Sequence, residues 1–301
     1  MNDFIRPLSD EFKKICFIKG EKNAYWPYSN SLVIGNCLID TGAGSRALRK
    51  VKSSFSIEKV ILSHWHEDHL GGNRIFKNAK FLAHVKDKPI IEDISKMGKY
   101  YDLENTQTGE DFEEITALLR LGNTRIDQTI KDNLIIDVGE NLKLQVIFTP
   151  GHTAGHCSFL ELNSKIGFVA DYDLTKFPFY GGIDANLTDF INSIRKLKSL
   201  NMNIAVPSHK DVVMGTQEIN NQLENFIIAI EKRSERILEH FSEKDPTNIS
   251  DLIRKNLIYR KYRQNFEEIA ERIMIEKHLE KFLDEKIIEP SGIKHLSYIL
   301  T

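Results

Sequence analysis

Residues 63–72 read SHWHEDHLGG, directly after an apolar run, Val60–Leu62, that predicts a buried strand. Imidazole nitrogens and carboxylate oxygens are ligands suited to zinc, manganese or iron. In a loop that leaves a strand end, the first two histidines point one way, while the aspartate and the third histidine point slightly apart from them. This arrangement favours two neighbouring metal ions over one. The four candidate ligands are His64, His66, Asp68 and His69.

Three later apolar runs, Leu144–Phe148, Ile166–Ala170 and Ile204–Val206, also end where a polar side chain stands at a turn. Rigid scaffolds present chemical groups at such strand ends. Two metal ions that share a carboxylate and a hydroxide form a hydrolytic centre, and the aspartate of this set is able to bridge them. The side chains that follow the three runs are His152, Asp171 and His209.

Taken in order, these motifs resemble those of the metallo-β-lactamase superfamily. The H-x-H-x-D-H pattern is followed by the PGHT turn of His152, then by Asp171 and by the PSHK turn of His209. The successive intervals are 83 residues from His69 to His152, 19 from there to Asp171 and 38 from there to His209. The sequence IDTG at Ile39–Gly42 is similar to the family's early strand-and-turn motif. A chance match to several ordered motifs is far rarer than a match to one. The resemblance spans residues 12–215.

The resemblance implies an α/β fold, the αββα sandwich, in which two mixed sheets are covered by helices on both outer faces. It implies a catalytic domain over residues 1–216 and two divalent ions, Zn²⁺ in first place, with Fe or Mn accepted by the same ligands. A hydroxide shared by the ions attacks the substrate, and we expect His66, Asp68 and Asp171 to be catalytic. The implied ligands are His64, His66 and His152 for one ion, Asp68, His69 and His209 for the other, and Asp171 as the bridge.

The composition changes after Gly215, and residues 217–301 form what we call the tail. Apolar spacing predicts three helices there, with Asp245–Pro246 as the cap and first turn of the second, Thr247–Leu257. Two short strands are predicted between Ile287 and Leu300. This layout and the run HLEKFLDEKII resemble the small winged-helix domain at the C-terminus of one branch of the superfamily.

Charge gives little support to nucleic-acid binding. The chain has 41 basic and 43 acidic residues, and the tail has 14 and 16. A duplex-binding domain is usually basic. A local basic cluster with interleaved aromatics resembles a single-strand site, but a solvated helix end explains it better. The cluster contains Arg254, Lys255, Arg260, Lys261 and Arg263, with Tyr259 and Tyr262 between them.

The three cysteines, Cys16, Cys37 and Cys157, are scattered and lack CxxC spacing, so we expect no disulfide framework and a buried structural role for Cys157. The N-terminus lacks an apolar signal region, and no apolar run reaches 18 residues. We therefore expect a cytoplasmic protein with no membrane partner. This expectation counts against a secreted antibiotic-degrading β-lactamase.

Several residues near these motifs allow two interpretations. Asp40 either supports a metal-binding histidine or caps a turn. His84 is more readily explained as a structural histidine than as a further ligand. Residues 85–133 form either a helical lid over the substrate or a peripheral layer. Tyr180 either donates a hydrogen bond to a developing oxyanion or packs in the core.

The superfamily shares one metal centre among many chemistries. The complete ligand set and the lack of a basic surface favour a small ester or thioester as substrate, as for glyoxalase II, a hydroxyacylglutathione hydrolase. The alternatives are a metal-dependent endoribonuclease acting on single-stranded RNA, suggested by the tail, and a regulatory ligand-binding protein with a vestigial site. A homodimer is left open.

Overall fold

A computed structural model describes residues 4–8, 13–103, 107–291 and 296–301. The first sheet has seven strands whose spatial order follows the chain, antiparallel up to the fourth strand and parallel from there. Its inner strands read as apolar runs because both of their faces are covered. The strands are β1 (Ile5–Pro7), β2 (Ile15–Ile18), β3 (Ser31–Ile34), β4 (Cys37–Ile39), β5 (Lys59–Ile61), β6 (Lys80–His84) and β7 (Gln128–Ile130).

The second sheet has six strands in the order β13-β12-β11-β10-β9-β8. All of its pairs are antiparallel except β11 with β12, which run parallel. The strands are β8 (Ile135–Asp137), β9 (Lys143–Phe148), β10 (Cys157–Glu161), β11 (Ile166–Ala170), β12 (Ile204–Pro207) and β13 (Val213–Met214).

Helices cover the outer faces of both sheets. The nine α-helices of the described residues are α1 (Ser45–Ser54), α2 (Glu67–Leu70), α3 (Lys88–Ile91), α4 (Met97–Tyr100), α5 (Gln107–Leu119), α6 (Leu187–Ser199), α7 (Thr216–Leu238), α8 (Ile249–Ile253) and α9 (Asn265–Asp284). Short 3₁₀ segments occur at Glu21–Ala24, Asn73–Phe76 and Ile94–Lys96.

Apolar side chains form three layers that account for this sandwich. Between the sheets, Leu32 and Ile39 of the first belong to one buried cluster with Phe159 and Val206 of the second. A second cluster lies between the first sheet and the helices on its outer side. A third joins the second sheet to α6, α7 and α9. The predicted αββα architecture is confirmed.

The parallel strands explain where the functional side chains meet. Because β4 and β5 run in the same direction, the residues that follow them, Asp40 and Ser63, lie at the same edge of the first sheet. In the second sheet, β11 and β12 are parallel in the same way, so Asp171 and His209 emerge together. The sandwich therefore brings segments distant in sequence to one edge.

The tail differs from its prediction at the second helix. Thr247 and Asn248 pair with Tyr298 and Ser297 to form a short strand, β14, and the helix begins only at Ile249. The Asn248 side chain caps it by accepting a hydrogen bond from the Ser250 N–H at 2.8 Å. The predicted start at Asp245–Pro246 was wrong because a strand near the end of the chain captures the segment. This small sheet contains β14 (Thr247–Asn248), β15 (Ile288–Pro290) and β16 (Ser297–Leu300) in the order β14-β16-β15.

The rest of the tail follows its prediction. Helices α7 and α9 form, and the terminal strands β15 and β16 pair as a hairpin. The tail shares the third apolar cluster with α6 of the catalytic region. The domain boundary after residue 216 and the likeness to a winged helix remain predictions. No helix of the described residues is both long enough and apolar enough to cross a lipid bilayer.

Gly42 lies where β4 turns beneath the histidine-rich motif. A Cβ atom at this position would stand 1.7 Å from the Asp68 carbonyl oxygen and 2.0 Å from Ser29 Oγ. Neither atom is the free end of a flexible side chain, so we expect Gly42→Ala to lower the free energy of unfolding by about 1–3 kcal/mol. Chemical denaturation measures the change.

Gly98→Ala is the matched control, because a Cβ atom at Gly98 meets nothing within 4 Å. Its unfolding free energy should stay the same or rise slightly, since alanine favours the helix. Equal stability of Gly42→Ala and Gly98→Ala would contradict the close approach at Gly42.

Candidate metal centre

The structure brings together all seven candidate ligands of the sequence. They form two adjacent groups, and within each group the potential ligand atoms lie within 4.8 Å of one another. Most of these side chains are buried, and only the carboxylate of Asp171 and the ring of His209 are partly exposed. The first group is His64, His66, His152 and Asp171, and the second is Asp68, His69 and His209.

Asp171 stands between the histidines of the two groups, with one carboxylate oxygen toward each set of rings. Its Oδ2 lies 3.1 Å from His152 Nε2 and 3.8 Å from His64 Nε2. Its Oδ1 lies 3.0 Å from His69 Nε2 and 3.7 Å from His209 Nε2. This is the orientation that a carboxylate bridge between two ions requires.

Backbone carbonyls set the protonation of two histidines. His152 Nδ1 lies 2.9 Å from the Phe179 carbonyl oxygen, and His209 Nδ1 lies 2.9 Å from that of Ala24. A carbonyl oxygen only accepts hydrogen bonds, so each Nδ1 carries the proton. In the neutral ring the lone pair is then on Nε2, the atom that faces Asp171. Such hydrogen bonds are typical of metal-binding histidines.

In the second group, the carboxylate of Asp40 accepts the hydrogen bond from Nδ1 of His69. Its Oδ2 accepts from His69 Nδ1 at 2.7 Å and from the Ser63 hydroxyl at 2.6 Å. Since that hydroxyl donates to Asp40, it accepts from His64 Nδ1 at 2.9 Å. Of the two interpretations of Asp40, the supporting role is the one that the hydrogen bonds show.

The donor set fits divalent cations. His64 Nε2, His69 Nε2 and Asp171 Oδ1 are buried and lack a hydrogen-bond partner among the described residues. His66 Nδ1 faces His152 Nε2 at 2.9 Å, so two ring nitrogens converge on one point. Buried polar atoms normally have partners, and a cation among these lone pairs would supply them.

The electrostatics of the two groups differ. Burial lowers the pKa of His64 and of His66 well below the usual value, so both rings are neutral and able to donate a lone pair. Burial also lowers the pKa of His69, but the charges of Asp171, Asp68 and Asp40 together outweigh this effect and raise that pKa well above the usual value. Burial raises the pKa of Asp171, yet the surrounding histidines, His69 first, hold it well below its usual range.

His156 is a site residue that the sequence interpretation missed. Its ring is fully buried, and its Nε2 accepts a hydrogen bond from the Asp171 N–H at 3.4 Å. Its Nδ1 lies 3.0 Å from Thr149 Oγ1. Through this hydrogen bond, His156 helps to fix the backbone of Asp171. A second histidine four residues after His152 was the available signal.

Two carboxylates, the buried Asp87 and the half-buried Asp184, were also missed, and both bind the turn after His152. Asp184 Oδ2 accepts from the Ala154 N–H at 3.0 Å and from Trp65 Nε1 at 3.2 Å. Asp87 Oδ2 accepts from the Thr153 hydroxyl at 3.0 Å. Burial raises the pKa of Asp87 well above its usual value, and the charge of Asp184 raises it further. The pair links this turn to the tryptophan of the histidine-rich motif.

Glu67, between two candidate ligands in sequence, links the motif to the surrounding walls. It accepts hydrogen bonds from Trp26 Nε1 at 2.7 Å and from the Tyr101 hydroxyl at 2.9 Å. Burial, followed by the charge of Asp68, raises the pKa of Glu67 to about 7. Glu67 therefore fixes one edge of the cavity in front of the metal centre.

That cavity has a volume of about 620 Å³, and His66, Asp68, Asp171 and His209 all contribute to its wall. Residues 85–133 also contribute, through Tyr101, Leu103, Phe112 and Ile115. The structure thus places this segment where the lid hypothesis needs it, and its effect on substrate choice stays a prediction.

Other sequence candidates lie outside the centre. Tyr180 is fully buried with its hydroxyl near His278 and Arg233, so it packs in the core and is not an oxyanion donor. His84 stacks on Phe148, with ring centroids 4.4 Å apart, as expected of a structural histidine. Cys157 is buried and free, as are the other two cysteines.

The sequence profile of the Metallo-beta-lactamase superfamily matches residues 24–209, more than half of the chain. The chain belongs to this superfamily. The matched residues contain all seven candidate ligands and the edge of the sandwich at which they meet.

Curated relatives are distant. The chain is 25% identical over 201 residues to an atrochrysone carboxyl ACP thioesterase of Aspergillus fumigatus, covering 63% of this chain and 53% of that protein. It is 28% identical over 189 residues to a hydroxyacylglutathione hydrolase of Haemophilus influenzae, covering 56% of this chain and 76% of that protein. The chain thus spans about half the length of the thioesterase.

Solved structures extend the likeness in fold to the tail. A metallo-beta-lactamase family protein of Thermus thermophilus superposes with a TM-score of 0.67 at 17% identity, covering 99% of this chain and 97% of that one. A beta-lactamase domain protein of Burkholderia ambifaria gives a TM-score of 0.72 at 12% identity, covering 99% and 93%. At these identities the comparison shows the fold alone.

Asp40→Asn tests the support of the second ligand group. Asparagine adopts the positive φ of residue 40 (57°) as readily as aspartate, so the backbone is unaffected. The new amide nitrogen is itself a donor, so it would face one of the donor groups whose hydrogen bond Asp40 now accepts. We expect divalent-ion affinity to fall by roughly 10- to 100-fold in a chelator competition.

Asp93→Asn serves as the control, because Asp93 is on the surface and bonded to Ser95 rather than to a candidate ligand. It should retain the affinity of the unaltered protein. A folded Asp40→Asn protein with unchanged affinity would show that His69 does not depend on this carboxylate.

Proposed function

We propose that this chain is a hydrolase of esters or thioesters that uses two divalent metal ions. One observation carries the proposal: the Asp171 carboxylate lies between two groups of ring nitrogens, with a separate oxygen toward each group. A shared carboxylate is the part of a two-metal centre that chance clusters of histidine lack.

The residues divide the work by position. His64, His66 and His152 would hold one ion, Asp68, His69 and His209 would hold the other, and Asp171, which faces both sets of rings, would be shared by the two ions. When bound, the ions polarise the acyl carbonyl and make hydroxide available from water near neutral pH. Asp68, whose Oδ2 lies 3.2 Å from His209 Nε2, also faces the cavity and orients the attacking water by accepting its hydrogen bond.

The cavity supports a small substrate over RNA. Among the described residues that line it there is no lysine or arginine to receive a phosphate chain. The activities in the names of the thioesterase and hydroxyacylglutathione hydrolase relatives agree with ester or thioester cleavage.

Removal of the metals tests the proposal directly. Protein stripped by a chelator should lose hydrolysis of a thioester by at least ~100-fold and regain it on addition of Zn²⁺. Elemental analysis of the active protein should give two ions per chain. Persistent hydrolysis by the metal-free protein would contradict the proposal.

Two substitutions test the residues. His66→Ala and Asp171→Ala should each lower turnover by at least ~100-fold while circular dichroism shows a folded chain. His240→Ala is the control, because His240 lies on the tail outside the ligand groups. Normal turnover in either site variant would refute the assignment.

A further inference from the structure

We propose that the cavity beside the metal centre receives an uncharged, flat, apolar acyl group, and that the tail selects for it through Tyr259 and Phe266. This inference rests on the proposed hydrolase function, because the cavity opens onto the same ligand groups. It specifies the class of substrate and disfavours a glutathione thioester.

The walls of the cavity are aromatic on several sides. They come from the loop before β3, from α5 and the segment before it, from the loop after β11, and from the start of α9 and the loop before it. Aromatic rings give large, rigid contact surfaces that favour stacking with flat groups. The aromatic lining residues are Tyr25, Trp26, Tyr101, Phe112, Phe177, Phe179, Tyr259 and Phe266.

Four of these rings form a connected frame, and Phe177 and Tyr259 form a separate pair. Tyr101 contacts Phe112 and Phe266, with ring centroids 5.4 and 5.6 Å apart. Phe266 lies 6.2 Å from Phe179, whose ring is 6.1 Å from that of the candidate ligand His152. The apolar wall therefore continues up to the metal centre, so an acyl group stacked on it has its carbonyl beside the ligands.

The charges of the cavity exclude an acidic substrate arm. The described lining contains carboxylates but no lysine or arginine. Glutathione carries two carboxylates, which would enter without a cationic partner apart from the metal ions. The lining carboxylates outside the ligand set are already hydrogen-bonded. Glu67 accepts from Trp26 and Tyr101, Asp173 accepts from the Thr175 N–H, and Glu267 accepts from the N–H groups of Arg263 and Gln264.

Two buried charged side chains of the tail, Arg233 and Glu271, hold its side of the cavity in place. Arg233 of α7 lies 4.3 Å from the ring centroid of Phe177 and donates to the Pro178 carbonyl at 2.6 Å. Glu271 of α9 accepts from the N–H groups of Ile258 and Tyr259 at 3.0 and 2.7 Å. A wall fixed in this way is preorganised, which favours one shape of ligand over others.

The size of the cavity agrees with this class. A volume of about 620 Å³ is in the usual range of small-molecule sites and far exceeds what an acetyl or lactoyl group fills. A small acyl group would leave the aromatic walls wet, whereas a bicyclic group covers them. The gain from that contact appears in binding and hence in kcat/KM.

The test compares three thioesters with the metal-loaded protein. The 2-naphthoyl and acetyl thioesters of N-acetylcysteamine differ only in the acyl group. The third thioester, S-lactoylglutathione, has a charged thiol arm in place of the neutral one. We expect kcat/KM for the naphthoyl compound to exceed each of the others by about tenfold or more. A preference for S-lactoylglutathione or for the acetyl compound would overturn the inference.

Phe266→Ala and Tyr259→Ala test the role of the tail. Each should lower kcat/KM for the naphthoyl thioester by about tenfold, mainly through KM, and lower kcat/KM for the acetyl thioester much less. Tyr262→Ala is the matched control, since Tyr262 is three residues from Tyr259 but does not line the cavity. Equal losses on both thioesters would mean that the two rings only stabilise the fold.

A binding experiment separates this inference from the proposed function. The neutral ketone 2-acetylnaphthalene has the same flat group and cannot be hydrolysed. If no thioester is cleaved, calorimetric binding of this ketone that is lost in Tyr259→Ala still supports the inference, and the hydrolase proposal alone fails. Absence of binding to the unaltered protein overturns the inference.

Discussion

The carboxylate of Asp171 is the constraint on which the arrangement of this site depends. It lies among imidazole rings whose Nε2 atoms face it from two sides. Its position is not set by its own side chain alone, because β11 ends at Ala170 and His156 accepts the Asp171 N–H from below. A shift of this one residue would separate the two ligand groups from their common partner.

Burying so many polar atoms together is unfavourable unless something compensates for the lost hydration. The chain compensates on the side of the rings that faces away from Asp171. There, Asp40 and the carbonyls of Phe179 and Ala24 accept hydrogen bonds from the Nδ1 atoms of three histidines. The inner nitrogens of His64 and His69 have no such partner among the described residues. This asymmetry, with the outer atoms bonded and the inner atoms of His64 and His69 without a partner among the described residues, is compatible with binding of divalent cations.

The ligands could be predicted from the sequence because each follows a continuous apolar run that forms a buried strand, as with Ile166–Ala170 before Asp171. The roles of residues that depend on contacts between distant parts of the chain could not be predicted from the sequence. The bonds from Glu67 to Trp26 and Tyr101 span 41 and 34 residues. The segment at Thr247 likewise reads as the start of a helix until its pairing with Tyr298 is known. The cavity lining was equally hidden, since a net charge of −2 gives no sign that its described wall lacks cations.

One short loop joins two properties that are usually treated as separate. The Phe179 carbonyl orients His152, while Phe177, two residues earlier, forms part of the acyl wall and is held by Arg233 from the tail. A change in α7 therefore reaches both the hydrogen bond of a candidate metal ligand and the wall of the cavity through the same loop. A new specificity acquired through the tail would have to keep the position of this loop, and a foreign tail grafted onto this sandwich would alter both features together.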